Sequence, residues 1–199
     1  MKDVTELVII IDKSGSMYGL RKDVVGGFNS LIENQKKEGE TLVTTIFFND
    51  EVDIIDEDVN IKDIAPLTLR QYSPSGCTAL LDAIGDAISI VKAKHTKLNE
   101  DELPKNTIFS IMTDGLENAS REYSYRRIKS MINMQKKCGW DFIFQAANID
   151  VHKEADRLGI DDDCCENFIA SSEGIKTQML CANRMINKAR NKPKTGKGK

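Results

Sequence analysis

The sequence has no long apolar run, no Cys-x-x-Cys motif and only two histidines. The apolar run at residues 7–11 is much too short to span a membrane or to form the core of a signal peptide. The five cysteines are odd in number and none stands in a Cys-x-x-Cys pair, which argues against a disulfide framework and against a structural zinc site. We therefore expect a soluble, cytoplasmic protein with no membrane partner.

A strong overall charge is also absent. The chain of 199 residues carries 28 basic and 31 acidic side chains, a formal net charge of −3. Four of the lysines stand in the last nine residues, so the rest of the chain is acidic, and we expect it not to bind nucleic acid. The length suits a single domain. We predict one domain at residues 1–190 and a basic, disordered tail at 191–199.

Short β-rich runs alternate along the chain with longer segments that have helical spacing. We predict strands at residues 7–11, 41–48, 52–55, 107–112, 140–145 and 167–170, and helices at about 19–37, 78–97, 124–137, 152–158 and 173–191. This alternation predicts an α/β fold, with a doubly wound, mostly parallel six-stranded sheet covered by helices on both faces. The acidic strand at 52–55 follows a two-residue turn and is expected to be an antiparallel edge strand. Gly26 and Gly27 interrupt the first helix, which indicates close packing there.

Polar side chains stand in three loops that are predicted to lie at the carboxyl ends of the parallel strands, where an open α/β sheet usually carries its binding site. Asp12, Ser14 and Ser16 come directly after the first strand, Thr78 precedes the second long helix, and Asp114 follows the fourth strand. Alternate residues of an extended or tightly turned segment point the same way, so the side chains of the first loop can converge. All five donors are oxygens, a set that favours Mg²⁺ or Mn²⁺, with Ca²⁺ also compatible, over Zn²⁺.

These segments resemble the metal-ion-dependent adhesion site of von Willebrand factor A domains. The resemblance is carried by Asp12-x-Ser14-x-Ser16, by Thr78 in a Gly-x-Thr-Ala-Leu context and by Thr113-Asp114-Gly115, in the family's order between strands and helices. It implies a Rossmann-like fold in which both serines and the threonine ligate the metal and the acids bind it directly or through water. It also implies that a carboxylate of a protein partner completes the coordination.

Several further expectations follow from the resemblance. It implies a binding module without catalytic residues, of the intracellular prokaryotic type. Relatives of that type often work beside ATPases, so the resemblance offers an ATPase-associated assembly as one candidate partner. Taken one at a time the motifs have simpler readings: Asp12 can solvate a strand end, Asp114 can belong to an ordinary turn, and Thr78 can be a helix N-cap.

Enzyme readings find less support in the sequence. Neither serine has the Gly-x-Ser-x-Gly context of a nucleophile, no phosphate-binding loop is present, and His95 and His152 are predicted to be surface residues. A haloacid-dehalogenase-like phosphatase also begins with an apolar strand that ends in an aspartate and uses Mg²⁺. That family places a second aspartate two residues on, where this chain has Ser14, so its general acid/base is missing.

Two neighbouring features near residue 163 have both a functional and a structural interpretation. Cys164 and Cys165 are adjacent and could sense redox, and the acidic triplet Asp161-Asp162-Asp163 just before them could bind a cation. We interpret the two cysteines as small buried residues and the triplet as a solvated loop.

Overall fold

A central sheet organises the part of the chain that the computed structural model describes, residues 2–192. Its six strands are β1 Lys2–Asp12, β2 Thr41–Phe48, β3 Val52–Asn60, β4 Pro104–Thr113, β5 Trp140–Ala147 and β6 Cys165–Phe168. The α-helices are α1 Arg21–Gln35, α2 Leu80–His95, α3 Tyr125–Lys137, α4 Val151–Leu158 and α5 Ser172–Arg190. The strand order is β3-β2-β1-β4-β5-β6.

The sheet topology confirms the predicted fold class. All neighbouring strands are parallel except β3, which runs antiparallel to β2 at one edge. Strand β1 lies between β2 and β4, so the order of the strands reverses beside it. In doubly wound sheets the carboxyl ends of the strands at such a point form the usual binding crevice.

Burial of both faces of β1 explains its continuous apolar run. Leu7, Ile9 and Ile11 face a core that includes side chains of α1 and α5, while Val8 and Ile10 face a second core that includes side chains of α2, α3 and α4. A strand covered on both sides has no polar face, so its sequence does not alternate. After this apolar run the next polar side chain is that of Asp12, the last residue of the strand.

Gly27 confirms the close packing that the first helix was expected to make. A Cβ at Gly27 would lie 2.6 Å from Cγ of Met179 in α5, whereas Gly26 faces open space. The pair α1–α5 therefore depends on one glycine rather than on both.

Several element boundaries differ from the prediction. The first helix begins at Arg21, after a 3-10 turn at Gly15–Leu20, and β3 continues to Asn60 because its acidic residues face solvent while its backbone pairs with β2. Strand β6 ends at Phe168 rather than at residue 170, and Ile169 beyond it is 76% exposed. Residues 193–199 of the predicted tail lie outside the described residues. Among residues 2–192, no helix combines the length and apolarity needed to cross a membrane.

Candidate metal centre

The loop after β1 holds three of the predicted ligands in one hydrogen-bonded turn. Asp12 is the last residue of the strand, and its Oδ1 accepts a hydrogen bond from the backbone N–H of Ser14 at 2.7 Å. The hydroxyl oxygens of Ser14 and Ser16 lie 3.1 Å apart. Asp12 and Ser14 are buried, while Ser16 is exposed. The turn therefore directs its side-chain oxygens to the end of the sheet.

A second loop, residues 73–79, lies against the first. The N–H of Gly15 donates to the carbonyl oxygen of Gly76 at 3.0 Å, and the N–H of Ser75 donates to the carbonyl oxygen of Lys13 at 2.8 Å. Gly76 has a φ of +73°, and a Cβ there would lie 1.9 Å from Oδ2 of Asp50. Only glycine fits this position without rearrangement. These bonds fix the loop that carries Thr78.

The third loop follows β4 and joins the other two. Asp114 Oδ1 accepts a hydrogen bond from the hydroxyl of Ser16 at 2.6 Å, and its carbonyl oxygen accepts from the side-chain amide of Asn148 at 3.2 Å. Thr78 is tied to this loop through its backbone, because its N–H donates to Oδ1 of Asn118 at 2.9 Å and its carbonyl accepts from the N–H of Asn118 at 3.0 Å. The three loops thus form one connected end of the sheet.

Thr78 does not cap α2, so the simpler reading of that residue is wrong. The N-cap position is Ala79, and the first free amides of the helix are satisfied from the third loop. The N–H of Leu81 donates to Glu117 at 3.0 Å, and the N–H of Asp82 donates to the hydroxyl of Ser120 at 3.1 Å. The Thr78 hydroxyl therefore does not cap the helix. It lies 4.0 Å from the position that a Cβ would take at Gly115, the residue after Asp114.

The five predicted ligands are therefore close in space, but they are not equally connected. A chain of hydrogen bonds links Asp12 through Ser14 and Ser16 to Asp114. Among the described residues, no side-chain hydrogen bond joins Thr78 to these four. It is held beside them by the backbone of its loop.

Both carboxylates of this centre are buried. Burial raises the pKa of Asp12 against the hydrogen bonds from Thr113 and Ser14, and the charge of Asp114 raises it further. Burial also raises the pKa of Asp114, against the hydrogen bond from Ser16. Within residues 2–192 neither carboxylate forms an ion pair, and the adjacent Lys13 binds Asp53 instead. Two buried acids with neutral partners create a strongly negative site.

Two further residues, Thr113 and Tyr72, position Asp12, and neither is among the predicted ligands. The Thr113 hydroxyl donates to Oδ2 of Asp12 at 2.7 Å, and the buried phenol of Tyr72 donates to the Asp12 carbonyl oxygen at 2.5 Å. Thr113 stood inside a quoted motif, so its position beside Asp12 could have been inferred from parallel pairing of β1 and β4. Tyr72 is 60 residues away in a loop, and no periodicity marks it.

Histidines contribute nothing to this centre. His95 was predicted to lie on the surface, but it is partly buried and its Nε2 lies 2.6 Å from a carboxylate oxygen of buried Glu6. Its ring also packs edge-to-face on Trp140. His152 is exposed, as predicted, at the start of α4. The donors at the centre are therefore oxygens only, which fits a hard divalent cation such as Mg²⁺ or Mn²⁺.

Comparison of three-dimensional structures finds proteins similar to this chain, whereas comparison of whole sequences does not. No protein-family profile matches it, and no curated protein sequence does. Among solved structures, the von Willebrand factor domain of the type V pili tip protein Mfa5 from Porphyromonas gingivalis has a TM-score of 0.69 at 10% identity, with 100% of both chains covered. The fold is that of a von Willebrand factor A domain.

Two further structures with this fold were solved with metal. Proximal thread matrix protein 1 from the mussel byssus, solved with a zinc-occupied metal-ion-dependent adhesion motif, has a TM-score of 0.62 at 13% identity. That match covers 92% of this chain, which spans only 45% of the mussel protein's length. The manganese-loaded TRAP protein of Plasmodium vivax has a TM-score of 0.60 at 16% identity over 90% of this chain and 72% of its own. These similarities do not favour the haloacid-dehalogenase alternative.

Proposed function

We propose that residues 1–190 form a metal-dependent protein-binding module that captures an aspartate or glutamate of its partner. The cation, of the Mg²⁺ type, is held by Asp12, Ser14, Ser16, Thr78 and Asp114. The observation that carries this proposal is the pair of buried carboxylates, joined through serine hydroxyls and without an ion-pair partner among residues 2–192. Metal in the mussel and Plasmodium proteins of the same fold supports it.

The composition of the donor set explains how such a site would choose its partner. Asp12 and Asp114 supply two negative charges, which formally balance a divalent cation, while Ser14, Ser16 and Thr78 supply neutral oxygens. A bound divalent cation supplies an electrophilic position that an anionic oxygen can occupy. The fold is otherwise acidic and would repel a carboxylate, so recognition of an acid depends on the cation.

Exposed apolar side chains beside the centre suit contact with a protein. Tyr18 is 64% exposed two residues after Ser16, and Leu116 is 52% exposed two residues after Asp114. They project from two different loops of the same end of the sheet. Large apolar side chains exposed around a polar site are typical of interaction surfaces.

The residues of the metal centre favour binding rather than catalysis. Ser14 stands where a phosphatase of the haloacid-dehalogenase type needs its second aspartate, and its N–H is already bonded to Asp12. Among the described residues no histidine approaches the centre as a general base. We expect no Mg²⁺-dependent hydrolysis of a phosphomonoester such as p-nitrophenyl phosphate, and a rate that disappears in Asp12→Asn would favour the phosphatase instead.

We also propose a cytoplasmic setting. All five cysteines are free thiols, which suits a reducing compartment such as the cytoplasm. An ATPase-associated assembly remains the candidate partner that the family resemblance suggests.

A pull-down with metal and with chelator tests the function. The tagged full chain is incubated with an extract of the native cell in Mg²⁺ or in EDTA, and the retained proteins are identified by mass spectrometry. We expect at least one partner that is retained only in Mg²⁺ and is lost with Thr78→Ala. Thr96→Ala, the same change at the other end of α2, is the matched control and should retain it. A partner set that is unchanged by chelator and by Thr78→Ala would contradict the proposal.

A further inference from the structure

A second group of potential metal ligands lies at the β6 edge of the sheet. His152 comes from the first turn of α4, Asp162 from a 3-10 turn at Asp162–Cys164, and Cys165 from the start of β6. One donor atom from each of the three lies within 4.8 Å of the other two. Strand β6 is three strands away from β1, roughly 14 Å at ordinary strand spacing, so this group is separate from the centre described above.

The local backbone holds the cysteine sulfur inside this group. The Cys165 thiol is buried and donates to the carbonyl oxygens of Asp161 at 3.2 Å and Asp162 at 3.4 Å. Nδ1 of His152 lies 3.3 Å from Oδ1 of Asp162. The adjacent Cys164 directs its thiol to its own neighbour, Oδ1 of Asp163, at 3.5 Å. Only one of the two cysteines therefore faces the histidine and the aspartate.

Of the three neighbouring aspartates 161–163, Asp162 alone has no lysine partner among residues 2–192. The acids on either side of Asp162 are already paired with lysines: Asp161 with Lys136 at 2.7 Å and Asp163 with Lys188 at 3.6 Å. Within residues 2–192 the side chain of Asp162 pairs with no lysine or arginine, and its contact is with Nδ1 of His152. A carboxylate flanked by acids attracts a positive charge.

We propose that His152, Asp162 and Cys165 bind a divalent cation of the zinc class. Nitrogen, sulfur and oxygen donors together favour Zn²⁺ or Co²⁺ over Mg²⁺, the opposite of the all-oxygen centre. Donors around a tetrahedral zinc lie ~3.3–3.8 Å apart, given ligand distances of about 2.0–2.3 Å. The donor atoms must therefore move about 1 Å closer together than the 4.8 Å within which they lie. The side chains of His152 and Asp162 are 64% and 79% exposed, so they can move by this distance without disturbing the core. A water molecule completes four-coordination.

Metal binding would displace the thiol proton of Cys165 and would stabilise the edge of the sheet at β6. Burial and the surrounding acids raise the pKa of the Cys165 thiol to about 11, so the sulfur is protonated at neutral pH. One S–H bond breaks as one sulfur–metal bond forms, the proton passes to solvent, and no redox change occurs. The bound ion joins α4 to the short edge strand β6, which otherwise pairs only with β5. We therefore expect the ion to stabilise this corner of the fold.

A cobalt titration tests this site without interference from the oxygen centre. The metal-free full chain is titrated with Co²⁺ in excess Mg²⁺, and the thiolate-to-cobalt charge-transfer band is followed. We expect a saturable band that Zn²⁺ abolishes. Removing a ligand should weaken Co²⁺ binding by at least the roughly 10–100-fold that loss of a supporting contact causes, so Cys165→Ser should abolish the band and His152→Ala should weaken binding to that extent.

Matched cysteines make the result specific. Cys164→Ser, next in the sequence, and Cys77→Ser, beside Thr78, should both keep the band. His152→Ala changes an exposed side chain and will fold, so the test does not depend on the buried Cys165→Ser variant. The proposal is overturned by the absence of a thiolate band in the unaltered chain, by a band of unchanged affinity in His152→Ala, or by loss of the band in either control.

Discussion

Replacement of Asp12 by asparagine separates the metal-binding role of this residue from its structural role. The asparagine Oδ1 can keep the hydrogen bond from the Ser14 N–H, and its Nδ2 can donate to the hydroxyl oxygen of Thr113. The Thr113 hydroxyl then turns its own hydrogen to the carbonyl oxygen of Gly115, 3.1 Å away. The variant therefore removes a buried charge and keeps both hydrogen-bonded contacts, while the second N–H of the asparagine amide gains no partner among these groups.

The expected magnitudes differ sharply with and without metal. Two charge-assisted hydrogen bonds become neutral ones, a loss of about 1–2 kcal/mol, but removal of the buried charge offsets it. We expect the free energy of unfolding of the metal-free variant to lie within about 2 kcal/mol of that of the original chain, because the unpaired amide N–H adds a small cost. At a Mg²⁺ concentration of 100 times Kd the original chain gains about 2.7 kcal/mol. For this size of domain that gain raises Tm by roughly 5–11 °C, and the variant should show no rise.

Thermal unfolding in EDTA and in Mg²⁺ measures both quantities. Asp101→Asn, the same change at an exposed loop position, should keep the full Mg²⁺-dependent rise. An equal rise in Asp12→Asn would show that this carboxylate does not bind the cation. A loss of more than about 3 kcal/mol without metal would refute the hydrogen-bond argument.

Three other outcomes follow from the geometry. Thr78→Ala should change the free energy of unfolding by about 1 kcal/mol or less in a urea titration, because the residue is buried but does not cap α2, yet calorimetry should show Mg²⁺ affinity reduced by tenfold or more. Glu117→Ala should lose about 1–2 kcal/mol in the same titration, because its carboxylate accepts from the N–H groups of Leu81, Ala119 and Ser120. The pKa of Asp12 is higher in the folded state than its ordinary value of about 3.9. Its protonation therefore stabilises the metal-free fold at a pH below about 3.9, and this stabilisation is lost as the pH rises from there through the folded-state pKa. Relative to Asp12→Asn, the original chain should therefore lose stability across that interval in EDTA, and Mg²⁺ should reduce the loss; a pH-independent difference would contradict it.

Hydrophobic patterning was enough to predict the architecture. A run such as that of β1 has one physical explanation, burial on both faces, and its alternation with helical spacing implies parallel crossovers. The boundaries were less accessible. Strand β6 was placed too late because Ile169 reads as a core residue, whereas the buried positions are Cys165 and Phe168. One apolar residue near a strand end does not reveal which side of it faces the core.

The candidate ligands could be proposed from local motifs, but their surroundings could not. Side chains that act at long range, such as Tyr72 on the Asp12 carbonyl, carry no spacing signal. Thr78 occupies a position where an N-cap is statistically favoured, and only the fold shows that Glu117 and Ser120 serve the helix amides instead. His95 was misjudged for the same reason, since its partner Glu6 lies 89 residues away.

The central claim is that one divalent cation is held by Asp12, Ser14, Ser16, Thr78 and Asp114. A crystal of the full chain grown in Mn²⁺ tests it most directly through the anomalous scattering of the metal. The account predicts an anomalous peak among the five side-chain oxygens, with direct Mn²⁺–oxygen distances of about 2.0–2.2 Å for the serine ligands, near the values for Mg²⁺. A fully occupied Mn²⁺ elsewhere on the chain, with no peak between Asp12 and Asp114, would contradict it.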